Sequence, residues 1–525
     1  MQLEQAVGQL ICPTLFGGQL RDRPYDRDAI HAELARYGWG GYILFHGERE
    51  STRARVADLQ AESPIPLLIA ADMEHGAGQQ IRGLSVFPTA MAFGAANEAE
   101  LAYAMGAWTA AEARDVGVNW ILAPVADVTN NPLNPIINIR SFGGDPERVS
   151  ACVDAFIRGC QDQGALACAK HFPGHGDTET DSHTRRGAIL ADRDRLDAVE
   201  LPPFRAAIEA GVATIMTAHL EVPALGATGI PATVSHAVMT GLLRETMGFD
   251  GLIVTDALVM GGISREQDPV DAAIDALLAG CDMLLMPPDP LATFEGIRQA
   301  VASGRLPEAR VREAASRVLE AKKRLGAPRA ALPLRSAEAL AREAAGKALT
   351  VAKGSLSVTM PSRTLALAVD DGVEADRLDV WRDAVRRHGW EGAIAGHGTS
   401  GADWRDLSAR ADSADAVLIG VFSPIRVSKD RSLLPASLLG PLRELCRRKP
   451  TTLVSFSSPF LVGQFPEADT WILAYGSRPV QIEAALSALA EGRPMTGLLP
   501  VTLPGETPDA PQDETPPPSG GPAFA

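Results

Sequence analysis

"LACAKHFPGHGDTETDSH", Leu166–His183, decides how this chain is read. It opens on an apolar run with no polar alternation, the pattern of a strand buried on both faces of a parallel sheet. It then breaks into a loop crowded with histidines, acids and glycines. The same apolar form recurs in "LICPTLF", "GGYILF", "PLLIAAD", "WILAPVAD", "ATIMTAH", "GLIVTDA" and "DMLLMP". Between these runs lie segments such as "ELAYAMGAWTAAEARDVG" and "PVDAAIDALLAG", with apolar residues at three- and four-residue spacing, which read as helices. Eight buried strands separated by helices predict an α/β chain whose N-terminal part, 1–326, is a (β/α)8 TIM-like barrel. A doubly wound open sheet is the alternative.

The pattern breaks at "APRAALPLRS", and a linker is expected over 327–345. The runs "TLALAVD", "AVLIGVF", "TTLVSFS" and "WILAYG" then predict a smaller αβα layered-sheet domain over 346–504. From 505 to 525 the chain is Pro-rich and polar, and disorder is expected there.

Bulk composition narrows the classes. With 525 residues, of which 46% are hydrophobic, the chain exceeds what one core supports, so two domains are expected. Asp and Glu number 65 against 49 Lys and Arg, a net charge of −16, which argues against a nucleic-acid or anionic-membrane partner. The six cysteines show no CxxC pair and sit in apolar runs such as "ALACAKH", as buried thiols in a reducing compartment do. The N-terminus lacks the basic start of a signal peptide, and no stretch reaches the length of a membrane span. A cytoplasmic protein is expected.

Chemistry in a parallel barrel collects at the C-terminal ends of the strands. The titratable residues fall there: Asp72 and Glu74, Asp127 with Arg140 beyond it, Lys170 and His171, His219, and Asp256. Asp256 follows four β-type residues, "LIVT", and reads either as a helix N-cap or as a nucleophilic carboxylate in a pocket. His171 and His175 have the spacing of a zinc pair on a helix, but Pro173 and Gly174 stand between them, so no metal is expected. His175 and Asp177 read as turn stabilisers. Asp181 and His183 are two residues apart, close enough for the carboxylate to hold one ring nitrogen and leave the other as a proton donor. A mobile loop would bring that pair over the barrel mouth.

These residues resemble glycoside hydrolase family 3. The motif "KHFPGHGDTETDSH", with "DMEHGAGQ", "NWILAPVADVTNNPLNPIINIRSFG" and "GFDGLIVTDALVM", is similar to its β-N-acetylglucosaminidase branch, known for peptidoglycan recycling, and the likeness runs over nearly the whole chain. The resemblance implies Asp256 as catalytic nucleophile, His183 as general acid/base and Asp181 as its orienting partner. It implies Asp72, Arg140, Lys170 and His171 as contacts to the sugar. Where the family often reads "DQEGG" with an arginine eight positions after the Asp, this chain reads "DMEHG" and has Gln80; Arg82 is the expected substitute.

Retaining glycosidases need a nucleophile on one face of the anomeric carbon and a proton donor to the leaving oxygen. An imidazole that has given up its proton is neutral and does not repel an anion, so phosphate could compete with water as acceptor; Arg185 and Arg186 could add positive potential. A small N-acetylglucosamine-containing glycoside is the expected substrate, and neither route needs a cofactor. The rival readings are a β-glucosidase or β-xylosidase, a non-catalytic sugar-binding barrel, and a metal-dependent amidohydrolase.

Overall fold

The computed structural model describes residues 1–16, 26–264, 267–425 and 433–503. Seven strands, Thr14–Phe16, Gly41–Leu44, Leu68–Ala71, Trp120–Ile121, Leu166–Phe172, Thr214–Thr217 and Leu252–Val254, lie side by side in chain order. Every pairing among them is parallel. An eighth strand, Leu284–Leu285, pairs in parallel with Ile11–Cys12, and Met283 bridges to Val254. The ring therefore closes on itself, a barrel rather than the open-sheet alternative. Leu166–Phe172, Gly41–Leu44, Leu68–Ala71, Thr214–Thr217 and Leu252–Val254 are buried along their whole length, which explains the apolar runs that mark them.

Three of the surrounding helices start the same way. Asp145, Asp268 and Asp289 each accept a backbone N–H of the first turn, and each is followed by proline at the first helical position. That pairing fits physics: the carboxylate satisfies an orphan donor, and proline lacks a donor where none is needed.

The second domain is a six-stranded sheet in the order Thr350–Lys353, Thr470–Leu473, Thr451–Ser455, Ala416–Phe422, Thr364–Asp370, Glu391–Gly396. Only the first pair is antiparallel. Alternate residues of Thr364–Asp370 feed two cores: Leu365, Leu367 and Val369 on one face, Ala366 and Ala368 on the other. The first of these cores also takes in Met91, Ala92, Ala95 and Ile139 from the barrel part, so the two domains share an apolar contact. The shared interface includes Asn138 Nδ2 donating to Ser458 Oγ at 3.1 Å and Leu498 N donating to Ala95 O at 2.8 Å.

The expected linker is half helix. Ala337–Ala348, N-capped by the Ser336 hydroxyl, packs against Ala90–Ala96 of the barrel part and Pro479–Glu491 of the sheet domain. Among the described residues no helix is long and apolar enough to cross a membrane. All six cysteines are buried free thiols. The Pro-rich tail lies outside the described residues.

Candidate active site

The strand ends converge on one cavity of about 820 Å³. Asp72, Glu74, Arg140, Lys170, His171 and Asp256 line its floor, and His183 reaches it from the loop. The cationic and anionic groups of the floor satisfy one another. Lys170, 2% exposed, sets its Nζ 2.6 Å from Asp72 Oδ1 and 2.8 Å from Glu74 Oε1. Arg140 forks onto Glu74, Nε to Oε2 at 2.9 Å and an Nη to Oε1 at 2.8 Å. Burial pushes the Glu74 carboxyl up, but Arg140 and Lys170 overcome it and hold the group well below the usual carboxylate range. Burial pulls Lys170 down, and Asp72 and Glu74 reverse that and raise it. Ionised, hydrogen-bonded and fixed, this network presents preset donors and acceptors to the cavity.

Asp127, fully buried, organises the motif behind it. It accepts from the backbone N–H of His171 at 3.1 Å and of His175 at 2.7 Å, and from His171 Nδ1 at 2.7 Å. A carboxylate acceptor fixes the proton on Nδ1, leaving Nε2 of this cavity-lining ring for a ligand. Gly176 passes so close to Val128 that a Cβ there would meet its carbonyl oxygen at 1.8 Å, which accounts for the glycine in the motif.

The expected pair forms. Asp181 Oδ1 accepts from the backbone N–H of His183 at 2.9 Å and lies 2.8 Å from its Nδ1. The Asp181 side chain is 2% exposed and that of His183 27%, so the carboxylate is enclosed while the ring stays accessible. The loop is hydrogen-bonded to its surroundings. Gly261 N donates to His183 O at 3.1 Å and Gly262 N to Ser182 O at 3.0 Å, tying the pair to the segment that follows Asp256. His175 anchors the same loop, with Nε2 2.8 Å from Ser182 Oγ and Nδ1 2.9 Å from Thr178 Oγ1.

Asp256 is not a helix cap. Its Oδ1 accepts only the N–H of Ala257, at 2.7 Å, and the next helix begins at Gly261. Burial pushes its carboxyl up, and the imidazoles of His171, His219 and His183 outweigh that, leaving it below the ordinary value. His219 itself is buried against Thr233 and the Ala257 carbonyl and is not part of the cavity lining.

Two expectations change. Arg82 does not replace the missing arginine: its side chain is 84% exposed and pairs with Glu48 at 3.2 Å. The strand Ile81–Arg82 buries Ile81, so the two-residue alternation turns Arg82 outward, while Gln80 lines the cavity. Arg185 is exposed, and Arg186 donates to Glu221 at 3.1 Å and to Gly229 O at 2.8 Å; neither lines the cavity. The sheet domain also lines the cavity, through Glu374, Arg377, Ser457, Ser477 and Arg478. Sequence reading overlooked these, although Ser457, Ser477 and Arg478 follow the C-terminal ends of parallel strands, where α/β sheets bind ligands.

Among the described residues no group of three or more His, Cys, Asp or Glu side chains is arranged to hold a metal ion. A closed barrel with a carboxylate at one strand end, a histidine–aspartate pair facing it and a polar template beside both has the parts of a glycosidase. The profile of the glycosyl hydrolase family 3 N-terminal domain matches residues 2–321, and the chain belongs to that family. It is therefore a glycoside hydrolase. A β-N-acetylglucosaminidase/β-glucosidase of Cellulomonas fimi is 29% identical over 95% of this chain and 93% of its own. A β-hexosaminidase of Methylococcus capsulatus is 39% identical over 50% of this chain and 81% of its own. The solved family 3 β-N-acetylglucosaminidase of Paenibacillus sp. str. FPU-7 superposes with a TM-score of 0.83 at 30% identity, covering 96% of this chain and 99% of that one.

Proposed function

We propose that this chain is a retaining β-N-acetylglucosaminidase releasing terminal β-linked N-acetylglucosamine from peptidoglycan- or chitin-derived fragments. Asp256 attacks the anomeric carbon while His183, oriented by Asp181, protonates the leaving oxygen. The glycosyl–Asp256 ester is then opened by water, from which His183 takes the proton back. Asp72, Arg140, Lys170 and His171 hold the sugar. The observation that carries the reading is the meeting of Asp256 and His183 in one cavity, with Asp181 buried behind the ring. The names of the relatives, acting on β-N-acetylglucosaminides and hexosaminides, support the choice of sugar. The buried free thiols agree with a cytoplasmic setting.

A panel of aryl β-glycosides tests it. The β-N-acetylglucosaminide should be turned over at least about tenfold more efficiently than the β-glucoside or β-xyloside, a ratio within reach of a few polar contacts. A higher kcat/KM on either rival sugar refutes the assignment of substrate.

A further inference from the structure

The motif departure at "DMEHG" has a structural counterpart. His75, where the resemblance expects glycine, lines the cavity and its Nε2 meets a guanidinium nitrogen of Arg478, which comes from the sheet domain 403 residues away. Burial, then the charge of Arg478, lowers His75 to about 3, so the ring is neutral and accepts from the arginine. Arg377 lines the same wall, its guanidinium 3.1 Å from Asp376. Arg478, by contrast, makes no ion pair with a carboxylate among the described residues, and Glu374 and Asp376 act on it only at longer range. On the barrel floor the account is different, since Arg140 and Lys170 are already matched by Glu74 and Asp72. Among the described residues, positive charge without a direct counter-ion thus sits on the sheet-domain wall at Arg478.

The floor must take the sugar, because its anomeric carbon has to touch Asp256. Whatever leaves or arrives at that carbon occupies the space that remains. At about 820 Å³ the cavity lies near the upper end of the range for ligand pockets, roughly 300–1,000 Å³, so such space exists.

The geometry points to an oxyanion subsite on this wall, with Arg478, set in place by His75, and Arg377 as its ligands. This rests on the proposed function and specifies its second substrate half: an aglycone bearing a carboxylate or phosphate, or free phosphate as acceptor. In the second case the phosphate oxygen bonds to the anomeric carbon as Asp256 departs with the electron pair of the ester bond. A protonated phosphate gives its proton to His183, and the product is a sugar 1-phosphate of retained configuration.

The test compares wild type with Arg478→Gln, Arg377→Gln and His75→Gly on two aryl β-N-acetylglucosaminides of matched leaving ability, one neutral and one carrying a carboxylate. A third arm adds millimolar inorganic phosphate and follows products by phosphorus NMR. Wild type should prefer the carboxylated aglycone or form sugar 1-phosphate. The first result assigns the anion to the aglycone and the second to the acceptor. Either effect should shrink about 10- to 100-fold relative to the neutral reaction in the arginine variants, the worth of a charge-assisted hydrogen bond. His75→Gly, which leaves both arginines in the chain, should weaken it too and serves if Arg478→Gln does not fold. An active enzyme with no anion effect, or variants that keep the full effect, overturns the subsite alone. A folded wild type inactive on every aryl glycoside overturns the proposed function and the subsite with it.

Discussion

His175 makes the stability of the dyad loop sensitive to acid. Its ring is 2% exposed and held between the Ser182 and Thr178 hydroxyls, in the loop that carries Asp181 and His183. Burial, opposed by Asp127, lowers its pKa from 6.5 to about 4. A folded value below the unfolded one means that the unfolded chain takes up the proton first as pH falls. The contribution of His175 is therefore complete above the unfolded value and is lost as pH drops from about 6.5 towards 4. Between pH 7 and pH 5 the loss comes to about 2 kcal/mol, and it changes by only a few tenths if the folded value is moved by about one unit. Urea unfolding of wild type and His175→Gln at both pH values measures it. The variant, with no group to titrate, should start less stable at pH 7 and lose about 2 kcal/mol less on going to pH 5. Any other titrating group, His75 included, is common to both proteins and cancels in the difference. Equal losses in the two proteins would refute the reasoning and place His175 among ordinary solvated histidines.

Asp256→Ala should lower kcat by about a thousandfold or more while circular dichroism stays native, and a mechanism-based fluorosugar should label Asp256 in wild type; labelling elsewhere contradicts the role. His183→Ala should slow substrates with poor leaving groups far more than those with good ones, and Asp181→Ala should do so more mildly; a uniform loss across leaving groups points to positioning instead. Glu74→Gln leaves Arg140 and Lys170 with less negative charge at the floor, so it should destabilise the fold by about 3–5 kcal/mol and raise KM; a variant as stable as wild type would mean that the network is not held by Glu74.

Much was legible in the sequence because it is written locally. All eight barrel strands could be seen, since a strand covered on both faces is apolar over most of its length; Leu166–Phe172 is buried throughout and opens on the unbroken run Leu166–Ala169 before the site residues Lys170 and His171. Asp181 and His183 could be paired from their spacing alone, because a two-residue separation limits how far apart the groups can be. Two strands of the sheet domain, Thr350–Lys353 and Glu391–Gly396, left no such trace: both lie at sheet edges, partly exposed, and need no continuous apolar run. Arg82 was misread because sequence distance says nothing of which way a strand residue faces, and one step of alternation sends it to solvent. The meeting of His75 with Arg478 could be decided only by tertiary structure. Contacts across 403 residues depend on how the two domains dock, through the apolar interface of Met91, Ala92 and Ile139, and no local pattern in either segment encodes that docking.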